Sequence, residues 1–183
     1  MPRVEHCWSG KGNGGQRVLV QLKFPESSTQ SAGITAWPEK LYLEIFLPDK
    51  DPCVQLNLYW FNKAPQRLPE SLWLSFLPAA LEEQAWTLIK VDEAVSPFDV
   101  VPGGNRHMHA ISDTIRYKTN QEKFSVSSMD APLLALGKRT PLYFSYEQPK
   151  VNDGIHFNLY NNVFGTNYIL WFSEAMRFRF KIE

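Results

Sequence analysis

Three observations predict an all-β chain, an antiparallel β-sandwich with little helix. Short stretches in which apolar and polar residues alternate recur along the 183 residues, and alternation suits an extended chain whose successive side chains face opposite ways. Pro, Gly, Asn and Asp stand between those stretches as corners. Apolar residues at helical spacing are almost absent. Roughly eight to ten strands bounded in this way point to two packed antiparallel sheets.

Residues 1–16 are Gly-rich and polar and read as a flexible entry segment. Arg17 to Phe24 alternates and is rich in β-formers, so it is the first strand. Pro25 to Pro38 is a long Ser/Thr/Gln-rich loop, and loops of that length are usually functional or mobile. Leu41 to Leu47 and Val54 to Phe61 read as a hairpin across a Pro/Asp loop. Ser71 to Leu77 is a strand leading to a helical turn at Ala79 to Gln84, and Trp86 to Val91 follows as a strand. Val100 to Gly104 runs into a glycine corner. His107 to Tyr117, Lys123 to Ser127 and Leu142 to Tyr146 are the next strands.

The closing run, His156 to Phe180, organises the chain. Phe157, Leu159 and Asn161 fall on one face of its first strand, with His156, Asn158, Tyr160 and Asn162 on the other. It breaks at Asn161-Asn162 and at Gly165-Thr166-Asn167, residue types that tolerate positive φ. Tyr168 to Phe172 and Arg177 to Ile182 are strand-like beyond the breaks. Two readings stand for this amide-rich corner: the amides satisfy their own turn backbone, or they face a sugar. No repeat and no interior linker interrupts the chain, so residues 1–183 are expected to form one domain.

Composition narrows the function classes. Lys+Arg and Asp+Glu number 19 each, and with no basic stripe the chain is not expected to bind nucleic acid. Aromatics make up 14% and Trp numbers 6, so these rings fill a core, a ligand face or an interface. Cys7 and Cys53 are far apart and fit two free thiols in a reducing compartment. No apolar run approaches the roughly 18 residues of a membrane span. The N-terminus lacks the charged-then-apolar layout of a signal peptide, so no membrane partner and a cytoplasmic location are expected.

Several residues bear on chemistry. His107 and His109 share one face of a strand, two ligands of a zinc site that needs a third and usually a fourth. Glu70, Asp99, Asp113, Asp130 and Asp153 stand in apolar or corner settings, but a glycosidase needs two carboxyls about 5–10 Å apart, which sequence does not show. Asp130 before Ala131-Pro132 reads as a turn residue, and Glu70 as a partner for Arg67 or Lys63. No serine has a G-x-S-x-G setting, and Gly103-Gly104-Asn105 is no phosphate loop.

Four segments carry a family resemblance: Asn62-Lys63-Ala64-Pro65 with Arg67 to Phe76, Gly103 to Ala110 (GGNRHMHA), Met129 to Leu133 (MDAPL), and Phe157 to Asn167 (FNLYNNVFGTN). Together they resemble, in order from about residue 40 onward, the C-terminal β-sandwich region of family 38 glycoside hydrolases, the α-mannosidase-like group. This chain has Phe164 where Trp is common in that group. The resemblance implies a galactose-mutarotase/α-mannosidase C-terminal-like sandwich. In such enzymes a zinc-containing α/β barrel does the chemistry and the β-domains lend a wall to the sugar site. Nothing here matches the barrel's metal motifs, so no catalytic residue and no metal ligand carries over. No cofactor is expected in this chain, with zinc confined to a separate catalytic part.

Three hypotheses follow. The first is an accessory domain or subunit of an α-mannosidase-like glycosidase, inactive alone, contacting carbohydrate and docking on a catalytic α/β-barrel chain or domain through an apolar face carrying Trp73 or Trp171. The second is a free-standing carbohydrate-binding module. The third is a small metal hydrolase built on His107 and His109. For the first two, the expected sugar-facing residues are Asn161, Asn162 and Asn167, with Arg106 and His109 nearby, because amides and guanidinium present donors in fixed geometry. Self-association through the docking face would make a homo-oligomer.

Overall fold

The computed structural model describes residues 1–79, 82–141, 144, 146–165 and 167–183, the side chains of 28 and 29 apart. It is all-β, with thirteen strands in antiparallel sheets among the described residues and only one short α-helix, Ser28–Ser31. That bears out the expected class at the level of a β-sandwich-like chain. Contacts gather the chain, expected as one domain, into two compact units: residues 1–70 with 165–183, and residues 71–164.

The first unit is a sheet in the order β1 (Arg3–Gly12), β2 (Gly15–Lys23), β3 (Lys40–Pro48), β4 (Val54–Phe61) and β13 (Met176–Ile182). The β3–β4 hairpin forms as expected, with Leu41 opposite Trp60 and Leu43 opposite Leu58. On β13 the alternation is clean. Phe178 and Phe180 are buried opposite Leu58 and Leu56, while Arg177 and Arg179 face out. Trp60 packs on Phe178 with ring centroids 4.9 Å apart.

Residues 3–12, expected as an entry segment, are instead paired with β2 from Arg3–Lys23 to Gly12–Gly15. The two-residue connection Asn13-Gly14, with Gly14 at φ 88°, is the turn that the glycine-rich composition concealed. Gly15 is required: a Cβ there would lie 2.3 Å from the Leu47 carbonyl oxygen.

The second unit holds two sheets. One runs β10 (Lys123–Ser128), β9 (Thr114–Lys118), β6 (Trp86–Lys90), β7 (Glu93–Val95). The other runs β5 (Ser71–Phe76), β12 (Ile155–Asn161), β11 (Leu133–Leu136), β8 (Met108–Ala110). Leu88, Ile115, Leu134, Leu136, Ile155 and Phe157 are fully buried. Trp86, Tyr117 and Phe124 form an aromatic cluster with centroids 5.0–5.4 Å apart. Burying such rings and branched chains stabilises by about 1.5–3 kcal/mol each.

Further expectations are corrected, and two short strands emerge that the sequence did not announce. The single strand expected over His107 to Tyr117 is two, β8 and β9. At Ile111 the N–H donates to Pro132 O and at Ser112 to Ile89 O, so the polar Ser112-Asp113 step carries the chain from one sheet to the other. β11 was hidden because its residues are buried on both faces and do not alternate. β7 is three residues long, too short to show a pattern. Residues 168–172, expected as a strand, form none. The helical turn is a 3-10 turn at Glu83–Ala85, with Ala80 and Leu81 outside the described residues. The expected strand at 142–146 falls largely on Leu142, Tyr143 and Ser145, which also lie outside them.

Candidate functional site

The candidate site lies in the second unit, where β11 ends and β12 begins. Gly137, at φ 76°, ends β11, and its N–H donates to Gly154 O at 2.9 Å. The chain returns through residues 147–150 to the 3-10 turn Val151–Asp153, which Gly154 closes at φ 135°. Both glycines are demanded by space as well as by φ. A Cβ on Gly154 would meet the His156 ring at 2.6 Å, and one on Gly137 would meet Lys150 O at 3.0 Å.

Between these turns opens a cleft of about 300 Å³. His107 is buried at its floor with half-buried Gln148, and Lys138, Glu147, Lys150 and Asp153 are exposed along its rim. Two ammonium groups and two carboxylates balance, so the rim offers donors and acceptors without a net field. That composition suits a neutral hydroxylated ligand better than an anion. Burial pushes the His107 imidazole below its ordinary value, with backbone carbonyls of Thr140 and Leu136 opposing the shift, so the floor is uncharged at neutral pH.

Beneath the cleft His156 is buried and bonded at both ring nitrogens. Nε2–H donates to Gly137 O at 3.3 Å, and Nδ1 accepts from Ser75 Oγ at 2.9 Å; this tautomer is assigned from those partners. Burial also lowers the His156 pKa.

The residues expected to face sugar do not form one cluster. Asn161, at the end of β12, donates through Nδ2 to Asn158 Oδ1 at 2.5 Å, and Asn158 donates to Tyr160 O, so these amides bond locally. Asn162 is buried, while Asn167 is exposed and belongs to the first unit. His109 sits level with Leu134 and hence with Phe157, four residues or roughly 13 Å along the strands from Asn161. Arg106 spends its guanidinium on Phe98 O, Val100 O and Gln148 Oε1, which ties it to the cleft floor through Gln148.

His109 is 4% exposed. Its Nδ1 lies 3.4 Å from Lys90 Nζ, its Nε2 is buried with no well-formed hydrogen bond among the described residues, and the Arg106 backbone carbonyl partly opposes the lowering of its pKa. Burial, with the Lys90 charge second, drives its pKa down to about 4, and burial lowers that of Lys90. Among the described residues, no group of three or more His, Cys, Asp or Glu is gathered closely enough to hold a metal ion. Trp73 and Trp171, expected on a docking face, are half-buried. Trp73 donates to Ser71 Oγ at 2.8 Å, and the Arg67 guanidinium covers Trp171 at 4.9 Å. Cys7 and Cys53 are free thiols. Among the described residues no helix is long and apolar enough to cross a membrane.

Sequence reasoning missed Lys138, Glu147 and Lys150, because nothing local marks exposed charges that meet only when two turns face each other. The available signal was the pair Gly137 and Asp153-Gly154, turn residues flanking a buried histidine strand. No protein-family model matches the chain, and no curated protein matches it.

Proposed function

We propose that this chain is a non-catalytic β-sandwich domain or subunit of an α-mannosidase-like glycoside hydrolase, contributing to carbohydrate binding and docking on a catalytic α/β-barrel part that carries the zinc. One observation carries the reading: His107 of the GGNRHMHA segment, itself part of the family resemblance, stands at the floor of the charge-balanced cleft. Neutral hydroxyls would exchange bonds with Lys138, Lys150, Glu147 and Asp153 without the penalty of burying an ion. Titration of the purified chain with methyl α-mannoside and mannobiose, followed by amide NMR, tests it. Millimolar binding with shifts around 137–138 and 147–154 is expected, weakened about tenfold by Asp153→Asn, a loss of about 1.4 kcal/mol. Absence of binding at about 10 mM would remove the carbohydrate role. Zinc-dependent turnover of aryl α-mannosides would remove the non-catalytic one.

A free-standing carbohydrate-binding module is the second reading, and Tyr168 favours it. Its ring is 84% exposed next to exposed Asn167, an aromatic platform with an amide beside it. Binding abolished by Tyr168→Ala and untouched by Asp153→Asn would select this reading.

A further inference from the structure

The chain holds one Asn-Gly step, Asn13-Gly14, and one Asp-Gly step, Asp153-Gly154. In each, a side-chain carbonyl carbon stands one residue before a glycine, whose backbone nitrogen has no side chain of its own to screen it. Attack of that nitrogen on the Cγ beside it closes a five-membered ring. The two steps share this covalent chemistry and differ in their surroundings.

Asn13 and Gly14 form the turn between β1 and β2, and both are exposed. Gly14 is open on the side where a Cβ would stand, with no atom within 4 Å. In a two-residue hairpin the flanking pair, here Gly12 and Gly15, closes the ladder, and the N–H of the second turn residue is left out of it. Neither that N–H nor the Asn13 amide has a hydrogen-bond partner among the described residues. Asp153-Gly154 is the opposite case. Gly154 is buried, its N–H donates to Val151 O at 3.1 Å, and the His156 ring stands 2.6 Å from where its Cβ would be. That nitrogen is committed and its peptide is walled in.

We propose that Asn13 is a site of spontaneous deamidation to isoaspartate, a change that loosens the β1–β2 turn from the loop after β3. The Gly14 nitrogen gives its proton to solvent base and bonds to Asn13 Cγ. The Cγ–Nδ2 bond breaks, and the amide nitrogen takes up a proton and leaves as ammonia. Water then opens the succinimide. Opening at Cγ gives aspartate; opening at the main-chain carbonyl carbon gives isoaspartate, in which the chain runs through Cβ and gains one backbone carbon. A two-residue turn has no slack for that extra atom. Gly14 O accepts the Asp49 N–H at 2.8 Å, and the longer turn disturbs that bond.

Incubation of the full chain at mildly alkaline pH, folded and in urea, followed by trypsin digestion and mass spectrometry, tests the proposal. Cleavage after Lys11 and Arg17 isolates residues 12–17, and cleavage after Lys150 and Arg177 isolates residues 151–177. Methylation by an isoaspartyl methyltransferase marks the isoaspartate in each. Folding should slow conversion at Asn13 by less than about tenfold and at Asp153 by more, tenfold being about 1.36 kcal/mol of barrier. Asn13→Gln should stop the mass gain of peptide 12–17, because glutamine must close a six-membered ring and Gln16 shares that handicap. Hydrogen exchange at the Asp49 amide should rise severalfold in the isoaspartate form. Slowing at Asn13 by about tenfold or more on folding, an Asp153 step no better protected than Asn13, a mass gain that survives Asn13→Gln, or an isoaspartate chain whose Asp49 amide exchanges as before would each overturn the proposal.

Discussion

His156 and Ser75 face each other across β12 and β5, and their side chains meet with Nδ1 2.9 Å from Oγ. With Nε2–H given to Gly137 O, the imidazole is neutral, satisfied at both nitrogens, and joins three segments of the second unit. The bare edge of Gly154 leaves room for that ring. A cross-strand hydrogen-bonded pair of this kind holds the register beneath the cleft.

Ser75→Ala should therefore cost about 1–3 kcal/mol, the penalty of a buried acceptor without its donor. Gly154→Ala should cost more than about 3 kcal/mol, since it combines positive φ with a Cβ driven into the His156 ring. Urea denaturation of the two variants measures both losses. A Gly154→Ala protein as stable as wild type would contradict the packing described.

Lys63 and Glu70 make an ion pair inside the first unit, with side chains 1% and 8% exposed. Glu70 Oε2 also accepts the Ala36 N–H at 3.2 Å, and Lys63 Nζ reaches Ala64 O. Breaking one side leaves the other charge buried without this counter-ion, so Lys63→Met should lose about 3–5 kcal/mol. Lys63→Met with Glu70→Leu should recover most of it, because the desolvation cost of both ions disappears together. Thermal unfolding of single and double variants checks the cycle.

The turn between β6 and β7 holds Val91 at φ 50° and Asp92 at φ 66°. Two positive φ values are what a tight two-residue hairpin turn demands, and valine is poorly made for one. The Val91 N–H donates to Ser112 Oγ at 2.7 Å, which helps hold it there, and its side chain is 88% exposed. Val91→Asn with Asp92→Gly should raise stability by about 1–2 kcal/mol with no loss of packing. Equilibrium unfolding reads the gain.

His109 titrates near 4 in the folded chain and near its ordinary 6.5 when unfolded. Between those values the unfolded chain binds the proton and the folded chain does not. Stability is therefore full above about pH 6.5 and falls as pH drops toward 4, by roughly 3 kcal/mol in all. His107 and His156 shift in the same direction and add to the loss. Denaturation midpoints from pH 7 to pH 4.5 should show that slope, and His109→Gln should flatten part of it.

Alternation and punctuation were enough to place β2, β3, β4, β5, β6, β10, β12 and β13, because a strand with one wet and one dry face writes its period into the residues. Glu70 read as a partner for Arg67 or Lys63, and the fold pairs it with Lys63. Where both faces are buried, as in β11, or where the clue is a turn in a glycine-rich segment, as at Asn13-Gly14, the period is silent. The candidate site was least legible. His107 could be read as chemically interesting, but the rim of Lys138, Glu147, Lys150 and Asp153 exists only because Gly137 and Gly154 bring two turns together. Local residue choice determined the strands of this protein. The company its polar side chains keep was decided by contacts between residues far apart in the chain, where distance along the sequence carries no record of distance in space.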